Sequence, residues 1–267
     1  MKTAIVVARH GHKVRLSKID PDDTAGVTKE EALERVARLW ETLNDLQETF
    51  YAESRRSILV IFQGIDTGGK DGSIKNLCRS FNPAGVRIAS FKTPTHVELD
   101  HDFLWRVHKA TPANGMIGIW NRSHYEDVLI ARVHRLIKKK VWKGRYEQIN
   151  AFEKILTNNG TTILKFMLHI SKDEQLKRLQ ARIENPKKQW KFNPADLRER
   201  SLWDDYQDAY EDAINCCSTK HAPWHIVPAN HKWARDLAIV ETVLEILKKM
   251  KPRYPTLSFD PKTVTVQ

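Results

Sequence analysis

The chain predicts an α/β fold, a parallel β-sheet flanked by helices, on two observations. Five short apolar runs rich in β-branched or aromatic residues alternate with helical segments, so each strand returns to the sheet through a crossover. The first of these runs opens into a glycine-rich loop and then a helix, the order of elements at which such sheets hold ligands, outside the carboxyl ends of their strands.

The elements follow in order. Turn signals cluster near the ends, at Asp20-Pro21-Asp22-Asp23 and at Lys251-Pro252 and Tyr254-Pro255, which leaves one domain over 1–267 with its body between about 27 and 250 and a loose tail over 251–267. Thr28-Lys29-Glu30-Glu31 reads as a capping box, and Ala32, Val36, Leu39, Trp40, Leu43, Leu46 and Phe50 recur at helical spacing, so a long amphipathic helix is predicted over 27–52. The α/β core spans 58–250. Its strands are predicted at Ile58 to Gln63, Val86 to Phe91, Met116 to Trp120, Thr162 to Ile170 and Trp224 to Pro228, each bounded by Gly, Asn or Pro. A second capping box, Ser171-Lys172-Asp173-Glu174, starts a helix through Ile183, and an Arg- and Lys-rich helical lid is expected over about 172–200.

Composition narrows the function. Lys plus Arg number 44 against 33 Asp plus Glu, a formal charge of +11, which points to a polyanionic partner: nucleic acid, an anionic membrane surface or a phosphate-rich substrate. With 41% hydrophobic and 29% charged residues the chain is an ordinary globular mixture, neither collagen-like nor disordered. The three cysteines, Cys78, Cys216 and Cys217, lack metal-ligand spacing and make no disulfide framework, so a cytoplasmic protein is expected. No run approaches the ~18 apolar residues of a membrane span, and Ile5 to Val7 is too short for a signal sequence.

Gly64-Ile65-Asp66-Thr67-Gly68-Gly69-Lys70-Asp71-Gly72 has the G-x-x-x-x-G-K spacing between a strand and a helix. Glycines there let backbone N–H groups approach phosphate oxygens, the helix start adds partial positive charge, and Lys70 adds a full one. Gly64, Thr67, Gly68, Gly69, Lys70, Asp71 and Gly72 are therefore candidate phosphate-binding residues. Asp71 stands where P-loop nucleotide hydrolases place the Mg²⁺-binding Ser or Thr, and Asp66 lies inside the loop. Two carboxylates beside a polyanion make sense when a divalent cation bridges at least one of them to the phosphates. Asp66 is the candidate metal ligand; Asp71 is equally a helix cap.

At the end of the third core strand, Asn121-Arg122-Ser123-His124-Tyr125-Glu126-Asp127 has Asn121 where a Walker B acid is expected, and Arg122 there can clamp phosphoryl oxygens. Asp127 reads as a first-turn acid. Arg178 and Arg182 lie four apart on one helix face, ahead of a Pro-bounded basic loop holding Lys187 and Lys188, the pattern of a segment that closes over phosphates. The run Arg132 to Arg145, with Lys138-Lys139-Lys140, is the strongest local positive charge and reads as a solvated face.

Gly64-x-Asp66-x-x-Gly69-Lys70-x-Gly72, Asn121 to Asp127, and Ser171 to Gln175 with Lys188-Gln189-Trp190-Lys191 resemble the polyphosphate kinase 2 family, from about Ile19 to about Asn230. The resemblance implies a thymidylate-kinase-like P-loop fold that reversibly moves the terminal phosphate of inorganic polyphosphate to AMP or ADP, giving ADP or ATP, with Mg²⁺ (or Mn²⁺). It implies catalytic roles for Asp66, Lys70, Asn121, Arg122, Glu126, Arg178 and Arg182, with Asp66 holding the metal. Asn121 with Glu126 is similar to the class III subgroup, whose members accept both AMP and ADP; most members have Asp at 121. On that reading Lys75, Arg79, Lys187 and Lys188 add to a polyphosphate channel, and Arg106, Asn121 and Glu126 hold the nucleotide. A homo-oligomer is expected, with no membrane and no specific nucleic acid as partner. An ATP-dependent nucleoside monophosphate kinase and a basic nucleic-acid-binding module stay open as alternatives.

Overall fold

The computed structural model describes residues 4–264. Its sheet has six strands: β1 (Val6–Val7), β2 (Ser57–Gln63), β3 (Val86–Ser90), β4 (Ile117–Asn121), β5 (Thr161–His169) and β6 (Trp224–Pro228), in the order β1-β6-β5-β2-β4-β3. β2 to β6 run parallel; β1 pairs antiparallel with β6, Val6 opposite Ile226. The five expected strands form the parallel part of the sheet, and the antiparallel edge strand β1 is added to them. β1 has only two residues, both exposed, too short for alternation to mark it, and it covers the open side of β6. Central β2 is buried along its whole length between β4 and β5, which is why it reads as an unbroken apolar run.

Ten helices flank the sheet among the described residues: α1 (Lys29–Glu53), α2 (Lys70–Leu77), α3 (His96–Leu99), α4 (Trp105–His108), α5 (Ile130–Val133), α6 (Lys139–Asn158), α7 (Lys172–Glu184), α8 (Ala195–Ser201), α9 (Trp203–Cys217) and α10 (Lys232–Met250). The Thr28 capping box forms in full: the Thr28 hydroxyl accepts from the Glu31 N–H, and the Thr28 N–H donates to Glu31 at 2.9 Å. Ala32 and Val36 then pack on Leu237 of α10, and Arg35 pairs with Glu241, so the apolar stripe of α1 is used within the chain. The second box forms only by half. Ser171 accepts from the Glu174 N–H, but its own N–H donates to Asn230 at 2.9 Å, and Glu174 turns instead to Arg178.

The run 251–264 is exposed apart from half-buried Pro252; residues 265–267 of the expected tail lie outside the described residues. The three cysteines are free. No helix among the described residues is long and apolar enough to cross a membrane.

Behind β4 and β5 lies a polar cluster inside the core. Lys165 Nζ donates to Glu153 at 2.6 Å, to the Cys217 carbonyl at 2.7 Å and to the Tyr125 hydroxyl at 2.8 Å, and Glu153 also meets His124. Lys165, Glu153, His124 and Tyr125 are fully buried. The cluster ties β5, α6 and α9 to the short 3-10 turn His124–Asp127 that follows β4.

Candidate active site

The glycine-rich loop joins β2 to α2, and Gly69 caps the helix with φ of 106°, a conformation that side-chain-bearing residues rarely adopt. A Cβ at Gly69 would also collide with the guanidinium of Arg235, which lies directly against the loop. The loop is braced from several sides. The Gly64 N–H donates to the Tyr210 hydroxyl at 3.1 Å, and Gln175 donates to the Asp66 carbonyl at 3.1 Å. Arg178 donates to the carbonyls of Thr67 and Gly68 at 3.0 and 3.1 Å and to those of Ala229 and Asn230.

Lys70 is buried at the start of α2, its ammonium on the Gly64 carbonyl at 2.6 Å. Burial and the neighbouring Arg122 lower its pKa, against the pull of Asp66, Glu126 and Asp71. Asp66 faces Arg122 at 2.8 Å, and Arg122 reaches Glu126 at 3.7 Å, so one guanidinium links the loop to the turn after β4. Arg122 holds φ of 64°, an uncommon conformation for a residue of its size. Burial raises the Glu126 pKa, in spite of Arg122 and Lys70. Asp71 receives Asn121 Nδ2 at 2.8 Å and Lys191 Nζ at 2.9 Å; burial pushes its carboxyl up, but these two donors prevail and hold it below the usual range.

Asp66, Lys70, Asn121, Arg122, Glu126 and Asp71 are thus brought into one constellation. The lid residues divide. Arg178 is committed to main-chain carbonyls, which makes it a brace of the loop rather than a charge free to close. Arg182 pairs with Asp196 of α8 at 3.5 Å, inside the lid. Lys187 and Lys188 are exposed on the basic loop. Lys75 is exposed on α2, while Arg79 sits over the Trp40 ring beyond the far end of that helix, because α1 packs there. Arg106 donates to the Lys92 carbonyl at 2.8 Å and lies over Phe91, which pins it to the segment after β3. Asp127 is more than a first-turn acid: it pairs with Arg145 of α6 at 3.0 Å, and burial raises its pKa to about 6, against Arg145 and Arg106.

Sequence reasoning missed Lys191, Arg235, Tyr210 and Gln175 as parts of this assembly. Lys191 and Gln175 carried a signal, each as the last residue of a motif shared with the family, but neither was assigned a contact with the loop. The others lie on α9 and α10 at ordinary helical positions, and only the tertiary fold turns them toward the loop.

No group of three or more His, Cys, Asp or Glu side chains among the described residues makes a metal cage. The oxygen donors near the loop include the Asp66 carboxylate and the orphaned, buried Gln63 Oε1 and Thr67 Oγ1, while the Asp71 and Glu126 carboxylates face Lys191 and Arg122. That set suits a hard cation that takes one carboxylate and completes its shell with phosphate oxygens and water.

A parallel sheet whose central strand feeds a glycine-rich loop, a buried lysine and a facing arginine defines a P-loop phosphate-binding protein of the kinase type. The chain belongs to the polyphosphate kinase 2 family, whose sequence profile it matches over residues 26–255. It is 50% identical over 245 residues to the AMP/ADP-polyphosphate phosphotransferase of Meiothermus ruber, covering 91% of this chain and 92% of the relative. It is 43% identical to the ADP-polyphosphate phosphotransferase of Rhodopseudomonas palustris, over 96% and 93% of the two chains. The crystal structure of polyphosphate kinase 2 from Arthrobacter aurescens TC1 superposes with a TM-score of 0.92 at 42% identity, covering 98% of this chain and 97% of that one.

Proposed function

We propose that this protein is a phosphotransferase that moves the terminal phosphate of inorganic polyphosphate to AMP and to ADP, forming ADP and ATP. The observation that carries the reading is the Asp66–Arg122–Glu126 link, which sets one guanidinium between the phosphate loop and the turn after β4. The printed activities of the relatives from Meiothermus ruber and Rhodopseudomonas palustris support the donor and the acceptors.

Breaking one phosphoanhydride to make another is nearly balanced, so substrate concentrations set the direction. A loose phosphoryl-transfer transition state needs alignment and charge neutralisation more than covalent chemistry. Loop amides and Lys70 hold the donor end, and an arriving phosphate competes with the Gly64 carbonyl for the Lys70 ammonium. Arg122, which faces Asp66 and Glu126, would hold the transferring group. Asp66 would hold Mg²⁺, which would supply charge neutralisation at the donor. Lys191 neutralises Asp71, the one acid of the loop exposed beside the lid.

Purified protein is incubated with Mg²⁺, long-chain polyphosphate and AMP, without ATP or ADP, and the nucleotides are separated over time. ADP followed by ATP is expected. Product formed from neither acceptor, with activity only when ATP is the donor, would replace this reading by a nucleoside monophosphate kinase. Asp66→Ala and Lys70→Ala should fold and lose transfer by at least about 10²-fold; near-normal turnover in either removes that residue from the mechanism.

A further inference from the structure

The basic run after the Glu126 turn has no role in the transfer site, and the fold gathers its exposed cations around one open surface depression. Arg132, Arg135, Lys138, Lys139, Trp142 and Lys143 line a concave surface pocket of about 630 Å³ together with a single acid, Asp212. That carboxylate is already taken by Arg132 at 2.7 Å. Arg135, Lys138, Lys139 and Lys143 have no ion-pair partner among the described residues, so four cations share one concavity uncompensated. The lysines also stand where local rules favour acids: α6 starts at Lys139 with no side-chain cap and no acid in its first turn. Natural chains break local rules of this kind at functional or strained sites.

We infer that this pocket is a second anion site, outside the transfer site, that holds distal phosphates of the polyphosphate chain; the inference rests on the proposed donor. The pocket offers charges and few hydrogen-bond acceptors, which suits a phosphate chain. A single-strand nucleic-acid site adds to such charges a free ring on which bases stack. The Trp142 ring is buried and carries the Arg132 guanidinium at 4.6 Å and the Lys143 ammonium at 6.0 Å. The pocket is continuous in the chain with the turn that bears Glu126, and neighbouring His134 meets Glu199 of α8 at 2.9 Å, beside the lid. A chain held there would stay tethered to the protein between turnovers, and a tether raises effective concentration.

The test uses the full-length protein with Lys138→Gln, Lys139→Gln and Lys143→Gln combined, three exposed changes that relieve charge at a helix start. Equilibrium binding to long-chain polyphosphate, to tripolyphosphate and to an RNA homopolymer is measured with and without the changes, together with kcat and the KM of AMP. Three exposed contacts are worth roughly tenfold, so long-chain affinity should fall by that factor. The slope of log affinity on log salt should fall by about two, at about 0.7 per phosphate on a flexible chain. Tripolyphosphate binding, kcat and the AMP KM should hold. Unchanged long-chain affinity overturns the inference. Equal losses on long chain and tripolyphosphate place the lysines in the transfer site and overturn it too, as does a loss confined to RNA. Wild-type protein that neither binds nor uses polyphosphate refutes the donor assignment itself, and the unaltered arm shows it.

Discussion

Replacing Lys165 by Met removes the cation at the centre of the buried cluster while nearly keeping its volume. Three hydrogen bonds of 2.6 to 2.8 Å are lost, and the Glu153 carboxylate is left in a fully buried site without its counter-charge. Breaking a buried pair by removing one partner costs about 3–5 kcal/mol, which for a chain of this size lowers Tm by roughly 10 °C. The loss depends on pH in a definite direction. Burial pushes the Glu153 carboxyl up, yet Lys165 and His124 now prevail and hold it below 4.5. In the variant burial acts with less opposition, the folded-state pKa rises above the unfolded one, and the folded state binds the extra proton. Stability from such a group is present at low pH and is lost as pH rises through the folded pKa, so the deficit against wild type should be larger at pH 8 than at pH 5. Adding Glu153→Gln removes the stranded charge while leaving an acceptor for Tyr125 and His124, and should recover more than half of the loss. Thermal unfolding of the three proteins at both pH values tests this. A single variant within about 0.5 kcal/mol of wild type, or a deficit that ignores pH, refutes the assignment of a charged, paired Lys165.

Gly69→Ala places a Cβ against the Arg235 guanidinium at a φ of 106°, so transfer should fall more than tenfold with a lower Tm; kinetics and melting check both, and normal values in both would mean the loop accommodates the methyl. Lys191→Ala leaves Asp71 as an uncompensated acid beside the phosphates, and the polyphosphate KM should rise about two- to fivefold, the worth of an exposed pair. Adding Asp71→Asn should reverse most of that rise; a double variant no better than the single shows that the pair is not coupled. Asp127 has a folded pKa raised from 3.8 to about 6, so its contribution is present below the unfolded value and is lost as pH rises through 6. Asp127→Asn keeps an acceptor for Arg145, and its stability relative to wild type should therefore improve from pH 5 to pH 7.5, as read by thermal unfolding; a flat difference contradicts a buried, proton-binding carboxyl.

Much of this protein is legible in local pattern. Central strands such as β2 are apolar runs because neighbouring strands and helices cover them, the Thr28 box announces α1 by its own side chains, and the loop from Gly64 to Gly72 announces phosphate through glycine spacing and Lys70. Asp66 and Arg122 follow from the same logic, since they sit at strand ends where a parallel sheet gathers its polar groups, whereas Glu126 was singled out only by the family resemblance. All of these are short-range properties, fixed by neighbours within a few residues.

The tertiary structure alone decided what depends on contacts between distant segments. Arg178 and Arg182 share a helix face and a residue type, yet one is buried on the carbonyls of the loop and the other pairs inside the lid, because burial is a property of packing and not of spacing. Arg235 and Gly69 lie far apart in sequence yet touch, and Asp71 meets Lys191 of the lid, pairings that no periodicity encodes. The basic run after residue 131 shows its sum of charge in sequence, but its concavity depends on α5, α6 and α9 meeting at one edge. Charge is additive along a chain and can be counted from the sequence; the shape that focuses it exists only once the chain has folded.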